Sequence, residues 1–165
     1  MKMLTLIRHG KSAGKEAGMS DFDRHVNDRG RGDAGLMGTI LGALFPIPGM
    51  VLASSAVRVV ETLHDMLEAA SRDGASYPSP ELRRDLYLAD GPTIWDFAYS
   101  ALLETDEVWL CGHNPGITEA IEQLSGSGID DVPTLGIARI AFEEVLPQPT
   151  LGELYFYDIP KNHRF

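Results

Sequence analysis

The feature that most constrains this chain is a repeated punctuation. Short apolar runs stop abruptly at a polar turn and give way to a helical pattern. Residues 3–7 run Met-Leu-Thr-Leu-Ile and stop at Arg8-His9-Gly10. Residues 50–53 close at Ser54-Ser55, and residues 107–111 end at Gly112-His113. Strand-sized apolar runs alternating with helix-period segments predict an α/β fold. In open α/β sheets ligands gather outside the carboxyl ends of the strands, so the three turns are where chemistry is expected.

The segments between the runs carry helical stripes. Over residues 29–45 the stripe is Ala34, Met37, Leu41, Leu44 and Phe45. Gly32, Gly35, Gly38 and Gly42 weaken its intrinsic propensity, and the small residues are expected to let the helix lie close to a sheet. Pro46 and Pro48 end it. Ala56, Val59, Val60, Leu63, Met66, Leu67 and Ala70 form the clearest stripe, with Ser55 as the expected N-cap. Residues 82–88 predict a short strand. The turn Asp90-Gly91-Pro92 precedes a helix with Ile94, Phe97, Ala98, Ala101 and Leu102 on one face. Asn114 as N-cap and Pro115 at the first helical position start a fourth helix, buried through Ile117, Ala120, Ile121 and Leu124. Residues 137–142 and 153–159 predict an antiparallel strand pair. No repeat or linker interrupts the pattern, so residues 1–165 are expected to form one domain.

Composition bounds the rest. A chain of 165 residues, 44% hydrophobic, builds one core. The net charge of −10 argues against nucleic acid as a partner and requires any phosphate site to be a local positive pocket. No run approaches the roughly 20 apolar residues of a membrane span, and the N-terminal run is too short for a signal peptide, so no membrane partner is expected. The one cysteine, Cys111, excludes an internal disulfide and fits a reducing compartment. The expected location is cytoplasmic, with Cys111 packed inside the sheet.

The three turns bring Arg8, His9, Arg58 and His113 to one rim, a set suited to phosphoryl transfer. Each arginine offers a planar fork of donors and keeps its charge. An imidazole can attack phosphorus and carry the phosphoryl group covalently, dividing hydrolysis into two steps. A second imidazole can stabilise charge on the equatorial oxygens. Helix N-termini near Ala56 and Pro115 add backbone donors, and Gly10 is expected to let the backbone pass close to the ligand. No metal or cofactor is required, because the arginines supply the positive charge. Taken alone, Gly-His-Asn-Pro reads as a capped helix start and Arg58 as a solvated helix residue. The coincidence at three strand ends is what favours chemistry. His25, His64 and His163 receive no role.

These residues resemble the histidine phosphatase superfamily, which includes the cofactor-dependent phosphoglycerate mutases. The resemblance rests on Arg8-His9-Gly10, on Ser54 to Arg58 with Glu61-Thr62, and on Gly112-His113-Asn114-Pro115-Gly116. Lys11-Ser12, Asp23-Arg24, Arg29-Gly30 and Leu86-Tyr87-Leu88 resemble the SixA-type phosphohistidine phosphatase branch. The resemblance implies a three-layer α/β/α sandwich, phosphoglycerate mutase-like, with a mostly parallel sheet and an antiparallel C-terminal pair. It implies His9 as nucleophile, with Arg8, Arg58 and His113 completing the phosphate pocket. It also implies an acidic residue that protonates the leaving oxygen. Glu81 and Asp85 are the candidates, while Leu86, Tyr87 and Leu88 occupy the stretch where that acid is sought.

An alkoxide leaving group needs a proton, whereas a protonated phosphohistidine releases imidazole readily. The expectation is therefore a phosphohistidine phosphatase that prefers phosphoramidates and acts on a phosphotransfer protein or another histidine-phosphorylated protein. The short stretch from Lys11 to Asp28 leaves little chain for a lid. The alternatives are a small-molecule phosphomonoesterase of the same mechanism, using Glu81 or Asp85, and a non-catalytic phosphate-binding module. A metallohydrolase built on His9 and His113 lacks the usual ligand spacing.

Overall fold

The computed structural model describes residues 1–71 and 74–164. Six strands make one sheet: β1 (Lys2–Arg8), β2 (Met50–Ser54), β3 (Glu81–Arg83), β4 (Glu107–Gly112), β5 (Ile137–Phe142) and β6 (Glu153–Asp158). Their spatial order is β3-β2-β4-β1-β5-β6. The first four run parallel, and β5 pairs antiparallel to both β1 and β6.

Side chains alternate across each strand, and both faces are covered. Leu4, Leu6, Leu52, Val108 and Leu110 pack under α3 (Gly91–Leu102) and α4 (Gly116–Ser125). Ile7, Val51, Ala53, Trp109 and Cys111 pack under α1 (Asp28–Leu44) and α2 (Val57–Ala70). Burial on both sides explains why the inner strands read as unbroken apolar runs. The result is the expected three-layer α/β/α sandwich.

Some local expectations are corrected. Ser55 does not cap α2; the hydroxyl of Ser54 accepts from the Ala56 N–H instead, at 3.2 Å. Gly38 and Gly42 of α1 serve the neighbouring helix rather than the sheet, since a side chain at either would collide with the backbone of Met66 or Ala70 in α2, whereas Gly32 and Gly35 face open space. Leu44, at the end of the α1 stripe, is exposed. Residues 82–88 form only the last part of a three-residue strand and then a 3-10 turn (Arg84–Leu86). Among the described residues, no helix is long and apolar enough to cross a membrane.

The sheet positions the rim. β4 lies between β1 and β2, with Arg8 beside Gly112 and Ala53 beside Cys111. Parallel, in-register strands must therefore deliver the residues that follow them to one edge.

Candidate active site

His9 leaves β1 as a buried side chain held in one tautomer. Its Nδ1–H donates to the carbonyl of Gly10 at 2.8 Å, an oxygen that can only accept. Nε2 therefore carries the lone pair, and it receives the Arg58 Nε–H at 3.4 Å. Burial lowers the His9 pKa to about 4, assisted by the charges of Arg58, Arg8 and Arg24 and opposed by the Gly10 bond. At neutral pH the imidazole is neutral and its Nε2 is unprotonated, which is the form a nucleophile requires.

His113 follows β4 and meets His9 edge-on, with ring centroids 5.1 Å apart. Arg58 Nη2 donates to His113 Nδ1 at 3.4 Å, so the ring proton sits on Nε2 and donates to Ser54 Oγ at 2.8 Å. Burial, then the neighbouring His9 and Arg58, lower the His113 pKa to about 3. The carbonyl of His113 opens α4 by accepting from Ile117. The Asn114 side chain accepts from the Thr118 N–H at 3.1 Å, one residue further in than an N-cap at Asn114 predicts, because α4 starts at Gly116 and Pro115, not Asn114, is the residue before it. Gly116 has a steric reason: a side chain there would strike the Ala89 carbonyl, so the glycine lets the 84–89 segment close against the rim.

Arg58 is the hub. It is 4% exposed, touches both imidazoles, and donates Nη1 to the backbone carbonyl of Asp21 at 2.7 Å. Arg8 donates to the Val132 carbonyl at 2.8 Å, and its buried Nε has no protein partner among the described residues. Burial lowers the Arg8 pKa, and its charge acts on both histidines. Behind them, Thr62 accepts from the Gly10 N–H at 2.9 Å and donates to the Arg58 carbonyl at 2.6 Å. The segments bearing His9 and Arg58 are thereby fastened to each other. Gly10 thus spends its N–H on Thr62, which leaves that amide unavailable to a phosphate.

Sequence reasoning missed the far wall of the pocket. The stretch after Lys11 folds back, and a 3-10 turn (Asp21–Asp23) sets the Asp21 carboxylate against Arg58 Nη2 at 3.0 Å. Tyr87 donates to the same oxygen at 2.5 Å, and Arg24 reaches the other at 3.1 Å. Tyr87, followed by Arg24 and Arg58, holds the Asp21 carboxyl well below the usual carboxylate range. The Tyr87 ring also stands edge-on to His113 at 5.3 Å. The sequence signals for this wall were Arg24, within the stretch resembling the SixA branch, and Tyr87, in the stretch where an acid was sought; Asp21 itself gave none.

Glu81 lies in β3 beside Leu52, below the rim, and Asp85 lies exposed in the turn after it. Among the described residues, neither hydrogen-bonds to a pocket side chain. The histidines given no role pair elsewhere: His25 with Glu61 at 3.0 Å, His64 with Glu68 at 3.5 Å, and His163 with Asp158 at 2.6 Å. One group of metal-ligating type, His64, Asp65 and Glu68, meets on the solvent side of α2. Asp65 there already pairs with Arg31. A cleft of about 780 Å³ adjoins the site at Asn114, but Glu119, Glu122, Asp130 and Asp131 line it, and their charge repels a phosphoryl dianion.

The fold has counterparts among solved structures. The "protein histidine phosphatase SixA complexed with tungstate" superposes with a TM-score of 0.82 at 21% identity, over 98% of this chain and 99% of that one. A candidate phosphohistidine phosphatase SixA from Agrobacterium tumefaciens gives 0.81 at 24%, over 96% and 98%. A mycobacterial glucosyl-3-phosphoglycerate phosphatase gives 0.68 at 12%, over 94% and 98%. The chain therefore has the histidine phosphatase fold. In sequence it is 30% identical to an uncharacterized protein of Mycobacterium tuberculosis over 94% of this chain and 100% of that protein. It is 31% identical to an uncharacterized chloroplastic protein of Arabidopsis thaliana over 78% of this chain, spanning 61% of that protein's length. The chain belongs to the family of this mycobacterial protein. No family model matches it.

Proposed function

We propose that the protein is a phosphatase that carries the phosphoryl group on His9 Nε2 and acts on phosphohistidine in a protein. The observation that carries the reading is the fixed tautomer of His9: its Nδ1–H is committed to Gly10 and its Nε2 faces Arg58. A module that only binds phosphate gains nothing from a neutral imidazole poised in this way, whereas a nucleophile needs it.

In the first step Nε2 attacks phosphorus and the substrate's P–N bond breaks, its pair returning to the leaving imidazole nitrogen, while Arg58 and Arg8 neutralise the equatorial oxygens. His113 starts neutral. A phosphoryl dianion beside it favours protonation at Nδ1, which then donates to a phosphoryl oxygen while Nε2–H stays on Ser54. In the second step water attacks phospho-His9 and returns the electron pair to Nε2. The positive charge comes from the arginines, so the chemistry needs no metal. The SixA neighbour is complexed with tungstate, a tetrahedral oxyanion, which supports oxyanion binding by this fold. The ester-hydrolase alternative needs a proton donor, and among the described residues Glu81 and Asp85 hydrogen-bond to no pocket side chain. A reducing compartment such as the cytoplasm suits the buried thiol of Cys111.

The test is phosphate release from a histidine-phosphorylated protein and from p-nitrophenyl phosphate, in EDTA, for the wild type and His9→Ala. Activity that survives EDTA, vanishes in the variant and leaves an acid-labile phosphoprotein on rapid quenching is expected. Turnover without such an intermediate, or turnover that needs added metal, overturns the reading.

A further inference from the structure

A phosphatase has no obvious use for a carboxylate beside the arginine that must hold its substrate. Asp21 is nevertheless joined to Arg58 at 3.0 Å, and the same guanidinium touches the nucleophilic nitrogen of His9 and the ring of His113. The carboxylate is not a stray surface group. Three side chains from three segments, Tyr87, Arg24 and Arg58, donate to it, and the backbone carbonyl of Asp21 takes a second N–H of Arg58.

Two roles follow poorly from this environment. A proton donor to the leaving group must hold a proton, but all three side-chain donors favour the ionised form. A purely structural clasp for Arg58 is satisfied by the backbone carbonyl of Asp21, without a charge that repels incoming phosphate. The placement does suit a hydrogen-bond acceptor. An ionised carboxylate offers about four acceptor positions. Tyr87 and Arg58 fill Oδ2 and Arg24 fills one position on Oδ1, so an acceptor on Oδ1 stays open among the described residues. The side chain is 38% exposed, so solvent, and with it a ligand, can reach the carboxylate.

Resting on the phosphatase reading above, we propose that Asp21 is a specificity-determining residue that accepts an N–H from the leaving group. The substrates it selects are phosphoramidates whose leaving nitrogen base is protonated, a phosphoimidazolium above all. The atoms balance without a proton donor. The His9 Nε2 pair forms the new N–P bond, and the old P–N bond returns its pair to the leaving nitrogen. The proton already on the far ring nitrogen, held by Asp21, stays there, so a neutral imidazole departs. The intermediate has the same form as the substrate, because His9 keeps its Nδ1–H on Gly10. Water then attacks phosphorus, giving dihydrogen phosphate and neutral His9. A phosphate ester brings two negative charges and no positive one, so Asp21 repels it. A phosphoimidazolium brings its own compensating cation.

The experiment compares kcat/KM for phosphoimidazole and for p-nitrophenyl phosphate from pH 5 to 8, in the wild type, Asp21→Asn and Tyr87→Phe, with the affinity of each protein for inorganic phosphate. The wild type is expected to lose its preference for phosphoimidazole as pH rises and the ring loses its proton. Asp21→Asn is expected to cut phosphoimidazole turnover at least tenfold, raise p-nitrophenyl phosphate turnover severalfold and bind inorganic phosphate more tightly. Tyr87→Phe keeps the carboxylate and is expected to keep the preference. Equal losses on both substrates in Asp21→Asn, the same ratio change in Tyr87→Phe, or weaker phosphate binding in Asp21→Asn each overturn the proposal. Trapped phospho-His9 from either substrate shows that the phosphatase reading stands even if the selectivity does not.

Discussion

The two walls of the pocket are built on different physical principles. One wall, His9, His113, Ser54 and Arg58, hangs from parallel strands and the start of α2. Its positions follow from in-register pairing such as Arg8 beside Gly112. The other wall, Asp21, Arg24 and Tyr87, comes from 3-10 turns and loop, and is held by side-chain hydrogen bonds rather than by the ladder. The first wall holds reacting atoms at a fixed separation. The second can differ between relatives without disturbing the sheet, which is where specificity is cheaply altered.

That contrast predicts a gradient of effects. On the strand-borne wall, His9→Ala is expected to reduce turnover by a factor on the order of a thousand or more, because no other group supplies the electron pair. A steady-state assay with rapid-quench trapping checks it. Arg58→Lys keeps a positive charge but loses the fork that spans both imidazoles and Asp21, and should reduce kcat/KM about a hundredfold. A variant with near wild-type turnover would show that the hub geometry is dispensable.

Thr62→Val tests the fastening between the two segments of the first wall. It leaves the buried Gly10 N–H without a partner, for a loss of about 1–3 kcal/mol in denaturant unfolding. A kcat reduction of roughly tenfold with little change in KM is expected, because the phosphate contacts remain.

The pH response separates the walls further. The folded pKa values of His9 and His113, about 4 and about 3, lie below the 6.5 of a free imidazole. Between those limits the unfolded chain binds protons that the folded chain refuses. Stability therefore falls as pH drops from 6.5 toward 4, and recovers as it rises. Thermal melts across that range, with nitrogen NMR to follow the two rings, check the sign. The smallest effect belongs to the loop wall's outer tether, where the exposed His25 meets Glu61 at 3.0 Å. His25→Gln should change stability by less than about 1 kcal/mol.

The difference between the walls is also the difference between what was legible in the residues and what was not. His9, Arg58 and His113 could be placed together because strand ends in an α/β sheet share an edge, and the apolar runs marked those ends. Arg139 shows where that logic stops. It sits 3% exposed within the apolar strand β5 and is paired with Glu107 at 3.1 Å, a match across the sheet that no periodicity announces. Asp21 and Tyr87 are 66 residues apart in sequence and meet only because Gly116 lets the 84–89 segment close in.

By itself, then, the sequence determined the layers, the strand ends and which side chains meet at them, because hydrophobic periodicity and backbone pairing are local rules with long consequences. The tautomer of His9, the clasp of Thr62 and the carboxylate at Arg58 were decided only in the tertiary structure. Each depends on a directional hydrogen bond between distant segments, and such bonds leave no periodic trace in the chain.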